Sequence, residues 1–165
     1  MTEYWDILDE HRNPTGRKHK RGDVMQAGDY HLVVSIWIVN SQGEFLITRR
    51  ALDKEDFPGM WESPGGSATA GEESLEAAIR EAREECGLIL LPETAKRFAT
   101  ERCGAAFYDS WLFRTDFDLA DVVLQDGETI DVCTATWHEI SEMMARGEFI
   151  ERGIYTQFDM LAVLV

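Results

Sequence analysis

The chain has 165 residues, 44% of them apolar, a length and composition that suit one globular domain with a core of its own and argue against disorder. A formal net charge of -15 opposes binding to nucleic-acid polymers, which needs a basic surface. The three scattered cysteines, Cys86, Cys103 and Cys133, fit a reducing, cytoplasmic location better than a disulfide framework.

The opening Met1-Thr2-Glu3-Tyr4-Trp5-Asp6 has neither a basic start nor an apolar run, so no secretory leader is expected. Trp5 to Asp9 reads as a short strand. Arg12-Asn13-Pro14-Thr15-Gly16 has turn chemistry, and Arg17 to Arg21 returns as a second strand. Tyr30 to Asn40 is nearly continuous in Val, Ile, Leu and Trp, which predicts a central strand buried on both faces. Its apolar stretch, Leu32 to Val39, is too short to span a membrane. Ser41-Gln42-Gly43 turns the chain into a hairpin partner, Glu44 to Arg50.

Phe57-Pro58-Gly59 and Pro64-Gly65-Gly66 punctuate a loop-rich region. Glu72 to Cys86 then has no Gly or Pro and carries Leu75, Ala78, Ile79 and Ala82 at helical spacing, so it predicts a helix that Gly87 stops. Arg97 to Arg102 and Ala106 to Thr115 read as strands around a Cys103-Gly104-Ala105 turn, and Val132 to Trp137 as another strand. Ile140 to Ala145 and Ile154 to Leu164 complete the pattern as helices. Interleaved strands, hairpins and helices predict an α/β (α+β) fold with a mixed sheet covered by helices. Residues 1–165 read as a single domain, with 1–28 as an N-terminal hairpin extension.

Chemistry concentrates in the predicted helix. Glu81, Glu84 and Glu85 stand at i, i+3 and i+4, so their side chains leave one face. Three ionised carboxylates this close repel one another. A hard cation, Mg²⁺ or Mn²⁺, removes the repulsion, and such ions pair naturally with diphosphates. It also answers the difficulty that an acidic protein has with an anionic substrate.

The segment from Gly66 to Leu88 resembles the box of the Nudix hydrolases: Gly, five residues, Glu, seven residues, Arg-Glu, an aliphatic, any residue, Glu-Glu, any residue, Gly, an aliphatic. Gly66, Glu72, Arg80, Glu81, Glu84, Glu85 and Gly87 fill every fixed position, with Ala82 and Leu88 in the aliphatic places. At roughly 6–7% usage per residue, a chance match is on the order of one in 10⁸ per start position, so the signal is specific. The resemblance implies the Nudix fold, a mixed sheet sandwiched between helices. It implies Glu84 and Glu85 as metal ligands, Glu81 as a third ligand or water-orienting group, and the Gly65 carbonyl as part of the inner set. It implies that Glu72 and Arg80 pin loop to helix by a charge-assisted bond. Many Nudix enzymes also bring a loop acid to the metal or the attacking water. Glu128 is the candidate here, with Asp126 and Asp131 as rivals.

Outside the box, Trp5 to Gly16 and Tyr30 to Trp61 look like isopentenyl-diphosphate isomerase, a Nudix-fold relative. That likeness implies that Arg50 and Lys54 grip a diphosphate. His31 matches a metal-ligand position of the isomerase, but its partner histidine is absent, so it reads as structural or substrate-contacting. The isomerase's catalytic cysteine is missing after Trp61, where Glu62-Ser63-Pro64-Gly65-Gly66 stands, and none of the three cysteines is placed by sequence to substitute. The later strand region, Cys103 to Phe113, holds no Glu and only Asp109 as an acid. Cys86 reads as packing. Trp37, Trp61, Trp111 and Trp137 read as core, with Trp111 or Phe107 as candidates to stack on a nucleobase.

The expected activity is therefore metal-dependent hydrolysis of a diphosphate linkage in a small molecule, with nucleoside di- or triphosphate derivatives leading by family analogy. Prenyl-diphosphate isomerisation and a non-catalytic ligand-sensing module are the alternatives. Homodimers are common in the superfamily.

Overall fold

The computed structural model describes residues 2–150, so the helix expected at Ile154 to Leu164 lies outside the described residues. In chain order the strands are β1 (Tyr4–Leu8), β2 (Pro14–Lys20), β3 (His31–Val39), β4 (Glu44–Arg50), β5 (Trp61–Glu62), β6 (Gly65–Ser67), β7 (Ala95–Cys103), β8 (Ala106–Arg114) and β9 (Thr129–Thr136). Helix α1 (Ser74–Cys86) follows β6, and α2 (Trp137–Ala145) follows β9.

β3 organises the sheet. Its β-branched residues suit an extended backbone, and alternation sends successive side chains to opposite faces. Val34, Ile36 and Ile38 pack with Ala77, Ala78, Ala82 and Cys86 of α1. Trp37 and Val39 pack on the other face with Phe45, Ile47 and Ile140 of α2. The expected layering, a mixed sheet between helices, follows from this double burial. Along one edge β3 runs parallel to β8, from His31 opposite Ala106 to Val39 opposite Arg114, and β7 pairs antiparallel to β8. The other edge divides. β6 takes Val33 to Ser35, and β4 joins only at Val39 opposite Phe45 before pairing along its length with β9. That division leaves the short β6 strand, and the glycines in it, beside the helix.

Several boundaries differ from the sequence reading. The first turn falls at Asp9 to Asn13, because the Asp9 side chain accepts the N–H groups of His11 (2.9 Å) and Asn13 (2.8 Å). Pro14 then opens β2 rather than belonging to the turn. The region around Pro64-Gly65-Gly66 holds β5 and β6, which are too short to show a period. Trp137 begins α2 instead of ending a strand, since Thr136 caps the helix with its hydroxyl and Glu139 returns to the Thr136 N–H (2.7 Å).

The hairpin β1–β2 docks on the rest of the chain through main-chain bonds, Leu8 exchanging with Tyr30 and the Ala70 N–H reaching the Tyr4 carbonyl (2.8 Å). Its turn is held by charge. Arg12 forks onto Asp109 of β8 at 2.7 and 2.5 Å. The same carboxylate accepts Ser74 Oγ (2.5 Å) at the start of α1 and Thr100 Oγ1 (2.6 Å) on β7. Asp109 is completely buried. Burial alone would push its carboxyl up, but the bonds from Arg12, Ser74 and Thr100 outweigh that and hold it below the ordinary aspartate range.

A carboxyl whose folded pKa is depressed contributes stability that is present above its unfolded value, about 3.9, and is lost as pH falls through the folded one. Asp109→Asn is expected to lower the unfolding free energy by roughly 3 kcal/mol and to flatten the acid limb of the stability curve. Urea unfolding at steps from neutral to acid pH measures both effects. An unchanged midpoint at neutral pH would mean that the buried carboxylate does not hold these elements together.

Candidate active site

Helix α1 begins at Ser74, two residues later than its sequence suggests. Glu73 is extended (φ -80, ψ 156), and its N–H is taken by Glu76 (3.0 Å). Glu72 stays outside the helix, where it accepts the Thr69 N–H (2.9 Å) and two Arg80 donors, Nε at 2.8 Å and Nη2 at 2.9 Å. Gly87 ends the helix at φ 70, a conformation that suits glycine. The alanines fix the face that meets the sheet, so Glu81, Glu84 and Glu85 leave from the side bordering β6.

These three glutamates line one cleft of about 730 Å³ together with Gly65 and Gly66. Glu85 lies deepest. The Gly65 N–H donates to it (3.1 Å), yet burial, with the Glu81 charge adding, pushes its carboxyl up to about 8. Burial raises Glu81 as well, opposed by Arg80. Glu84 is half exposed and takes an Arg80 donor at 2.9 Å. Arg80 also reaches Glu81 (2.9 Å) and the Ser67 carbonyl (3.1 Å), so one guanidinium ties the loop, β6 and the helix together. Gly66 packs so closely that a side chain there would land on the Glu81 carboxylate, and one at Gly65 would land on the Val34 carbonyl oxygen of β3.

The opposite rim is built by other elements. Arg50, at the end of β4, donates to Glu62 (2.8 Å) and lines the cleft. Lys54, in the loop after β4, is ion-paired with Glu128, which precedes β9. Of the three candidate loop acids, Glu128 lines the cleft and Asp126 and Asp131 do not. His31 lines it too, its ring stacked on Trp5 at 4.1 Å and 10°. Burial, with His19 adding, pushes His31 down to about 4, so its ring is neutral near pH 7.

Some expectations are corrected. Cys103, read as part of a turn and not placed to act at the site, instead ends β7 and lines the cleft. Trp111 and Phe107 are not among the cleft's lining residues: Trp111 donates to Ser74 Oγ (3.0 Å), and Phe107 packs on Tyr30 (5.4 Å). Trp5, Glu3 and Arg21 of the hairpin do line it, with Tyr108. Trp5 on β1 and Glu3 and Arg21 at the open end of the hairpin alternate onto a shared face, but only the docking of the hairpin shows what that face meets.

Among the described residues, no three His, Cys, Asp or Glu side chains form a closed metal cage. The donor set nevertheless fits a hard cation. Glu81 and Glu85 are partly buried carboxylates; desolvation raises both, and the neighbouring Glu84 charge at Glu81 and Glu81 charge at Glu85 add to it. Mg²⁺ keeps several waters and needs only one or two carboxylates, so a preformed cage is not required.

Comparison with known proteins agrees with this geometry. The NUDIX domain family model matches residues 29–158. An uncharacterized Nudix hydrolase of Listeria innocua is 40% identical over 150 residues, 90% of this chain and 88% of that protein. The isopentenyl-diphosphate Delta-isomerase of Escherichia coli is 38% identical over 93 residues, 56% of this chain and 51% of its own length. Among solved structures, DR0079 from Deinococcus radiodurans superposes with a TM-score of 0.75 at 24% identity, covering 91% of this chain and 93% of that one. A MutT protein from Methanosarcina mazei gives 0.56 at 28% identity, over 69% of this chain and 82% of its own.

The two glycines should separate stability from site geometry. Gly65→Ala meets rigid backbone and is expected to cost roughly 1–3 kcal/mol in urea unfolding. Gly66→Ala meets the flexible end of Glu81, so it should unfold within about 0.5 kcal/mol of the parent while weakening Mn²⁺ binding in a calorimetric titration. Equal stability losses in both would refute the distinction.

Proposed function

The chain belongs to the Nudix family, and on that premise we propose that it is a divalent-metal-dependent hydrolase that cuts a diphosphate linkage. The observation that carries this reading is the pairing of the partly buried Glu81 and Glu85 with Gly66 and Gly65 in a cleft that also holds Arg50, Lys54 and Glu128. The reaction class is hydrolysis of a phosphorus anhydride, and nucleoside di- or triphosphate derivatives are the leading substrates.

Glu84 and Glu85 would hold Mg²⁺ or Mn²⁺, joined by Glu81 and the Gly65 carbonyl. When bound, the cation offsets the phosphate charge and the charge that grows on the leaving oxygen. Arg50 and Lys54 fix the diphosphate from the opposite rim. Water attacks one phosphorus: a new P–O bond forms, the bridging P–O bond breaks, and Glu128 accepts the proton. Glu72 and Arg80 act at one remove, keeping α1 and β6 in register so that Glu81 and Glu85 stay on Gly66 and Gly65.

Prenyl-diphosphate isomerisation is the second reading, favoured by the partial isomerase likeness and by Cys103 in the cleft. It requires acid and base groups flanking an alkene. The segment after Trp61, Glu62-Ser63-Pro64-Gly65-Gly66, holds no cysteine, and its Ser63 is buried and bonded to Ser35 (2.9 Å).

Turnover of a nucleoside diphosphate derivative is expected to need added Mg²⁺ or Mn²⁺ and to stop in excess chelator. Glu85→Gln should lower kcat by at least about 10². Isopentenyl diphosphate with Mg²⁺ should yield no dimethylallyl diphosphate. Full rates in EDTA would sink the metal reading, and isomerisation surviving Glu85→Gln would favour the second.

A further inference from the structure

The family match begins at residue 29, yet Glu3, Trp5 and Arg21 from the hairpin before it line the same cleft as the glutamates. They share one face because they alternate. Trp5 stands opposite His19 across the β1–β2 pair, Glu3 is two residues before Trp5, and Arg21 is two after His19. The face is fixed by its own bonds. Trp5 Nε1 donates to Glu3 (2.7 Å), and Arg21 pairs with the other Glu3 oxygen (2.7 Å). Trp5 in turn stacks closely on His31 (4.1 Å, 10°) and more loosely on His19 (5.7 Å, 28°), and the buried Nδ1 of His31 has no hydrogen-bond partner among the described residues. Stacking, not hydrogen bonding, therefore holds that ring. Across the sheet, Val33 and Tyr108 sit side by side in register and extend the wall toward Gly66.

We propose that the hairpin is the substrate-selecting wall of the cleft, with Trp5 as the residue that determines recognition of the flat, hydrogen-bonding ring of a nucleoside diphosphate. The inference rests on the diphosphate reading above and adds the group attached to the diphosphate. Two features favour a nucleobase over an isoprenyl chain. The wall is made of flat aromatic groups, and aromatic faces hold bases by stacking. Its rim is the Glu3–Arg21 pair, which offers donors and an acceptor to a ring edge and which an apolar chain would desolvate without return. A cleft of about 730 Å³ has room for both parts of such a ligand.

The test uses the full chain with Mg²⁺ and three probes in calorimetry: methylenebisphosphonate, a nucleoside 5′-(α,β-methylene)diphosphate, and an isoprenyl methylenediphosphonate. The parent is expected to bind the nucleoside probe at least about tenfold more tightly than the bare bisphosphonate. Trp5→Ala should erase that advantage, Trp5→Phe should restore most of it, and bisphosphonate affinity should not move in either. On a hydrolysed nucleoside substrate, Trp5→Ala should raise KM about tenfold with kcat within about twofold. If the parent binds the nucleoside probe and the bisphosphonate equally, if the advantage survives Trp5→Ala, or if the isoprenyl probe gains as much through Trp5, the wall does not select a base and the proposal falls while the diphosphate reading stands. If no probe binds, the diphosphate reading fails and takes the proposal with it.

Discussion

One buried charge holds the walls of the cleft in place. Asp109 sits inside the protein with its carboxylate occupied by Arg12 from the hairpin turn, Ser74 from the start of the helix and Thr100 from the neighbouring strand. An ionised carboxylate in such surroundings is tolerable only with its partners, of which Arg12 and, at 3.4 Å, Arg97 carry the opposing charge. The hairpin, the helix and the sheet therefore come together as a set. The backbone records the demand: Arg12 is one of only two non-glycine residues with positive φ among the described residues, at 66°. A conformation unfavourable to arginine is accepted where its side chain is needed.

The legible parts of the sequence were those with long periods or unambiguous punctuation. The nine-residue β3 and the thirteen-residue α1 each bury a continuous face, so their patterns repeat enough to read. Gly87 could be read as a stop because few other residues accept its backbone angle. Strands β5 and β6, of two and three residues, have no period at all and exist only because β4 and β3 offer edges to them. The roles of Asp109 and Trp5 were hidden for a related reason. Each depends on partners far away in the chain, Arg12 for one and His31 for the other, and nothing local to either residue announces the contact.

The cations of the cleft are engaged with acids as the protein stands. Arg80 serves Glu72, Glu81 and Glu84, Lys54 serves Glu128, Arg50 serves Glu62, and Arg21 serves Glu3. In a chain of net charge -15, positive groups left without local partners would be scarce in any case. An anionic ligand thus enters a site lined by six acids against four cations, each cation already paired, and it must either exchange partners with these pairs or bring positive charge with it. The same pairing favours selectivity over raw affinity, since groups that must change partners reward only ligands of matching geometry.

Arg80 has a consequence for the order of events in the life of the protein. Its guanidinium already counters three of the box acids, so the helix can form and dock on the sheet before any divalent ion is present. On the metal-dependent reading proposed above, folding and ion loading would be separate steps, unlike small metal-stapled domains in which the ion is a condition of structure. A newly made chain would then mature in an ion-poor moment and await its ion, with the internal cation yielding part of its place to the incoming one.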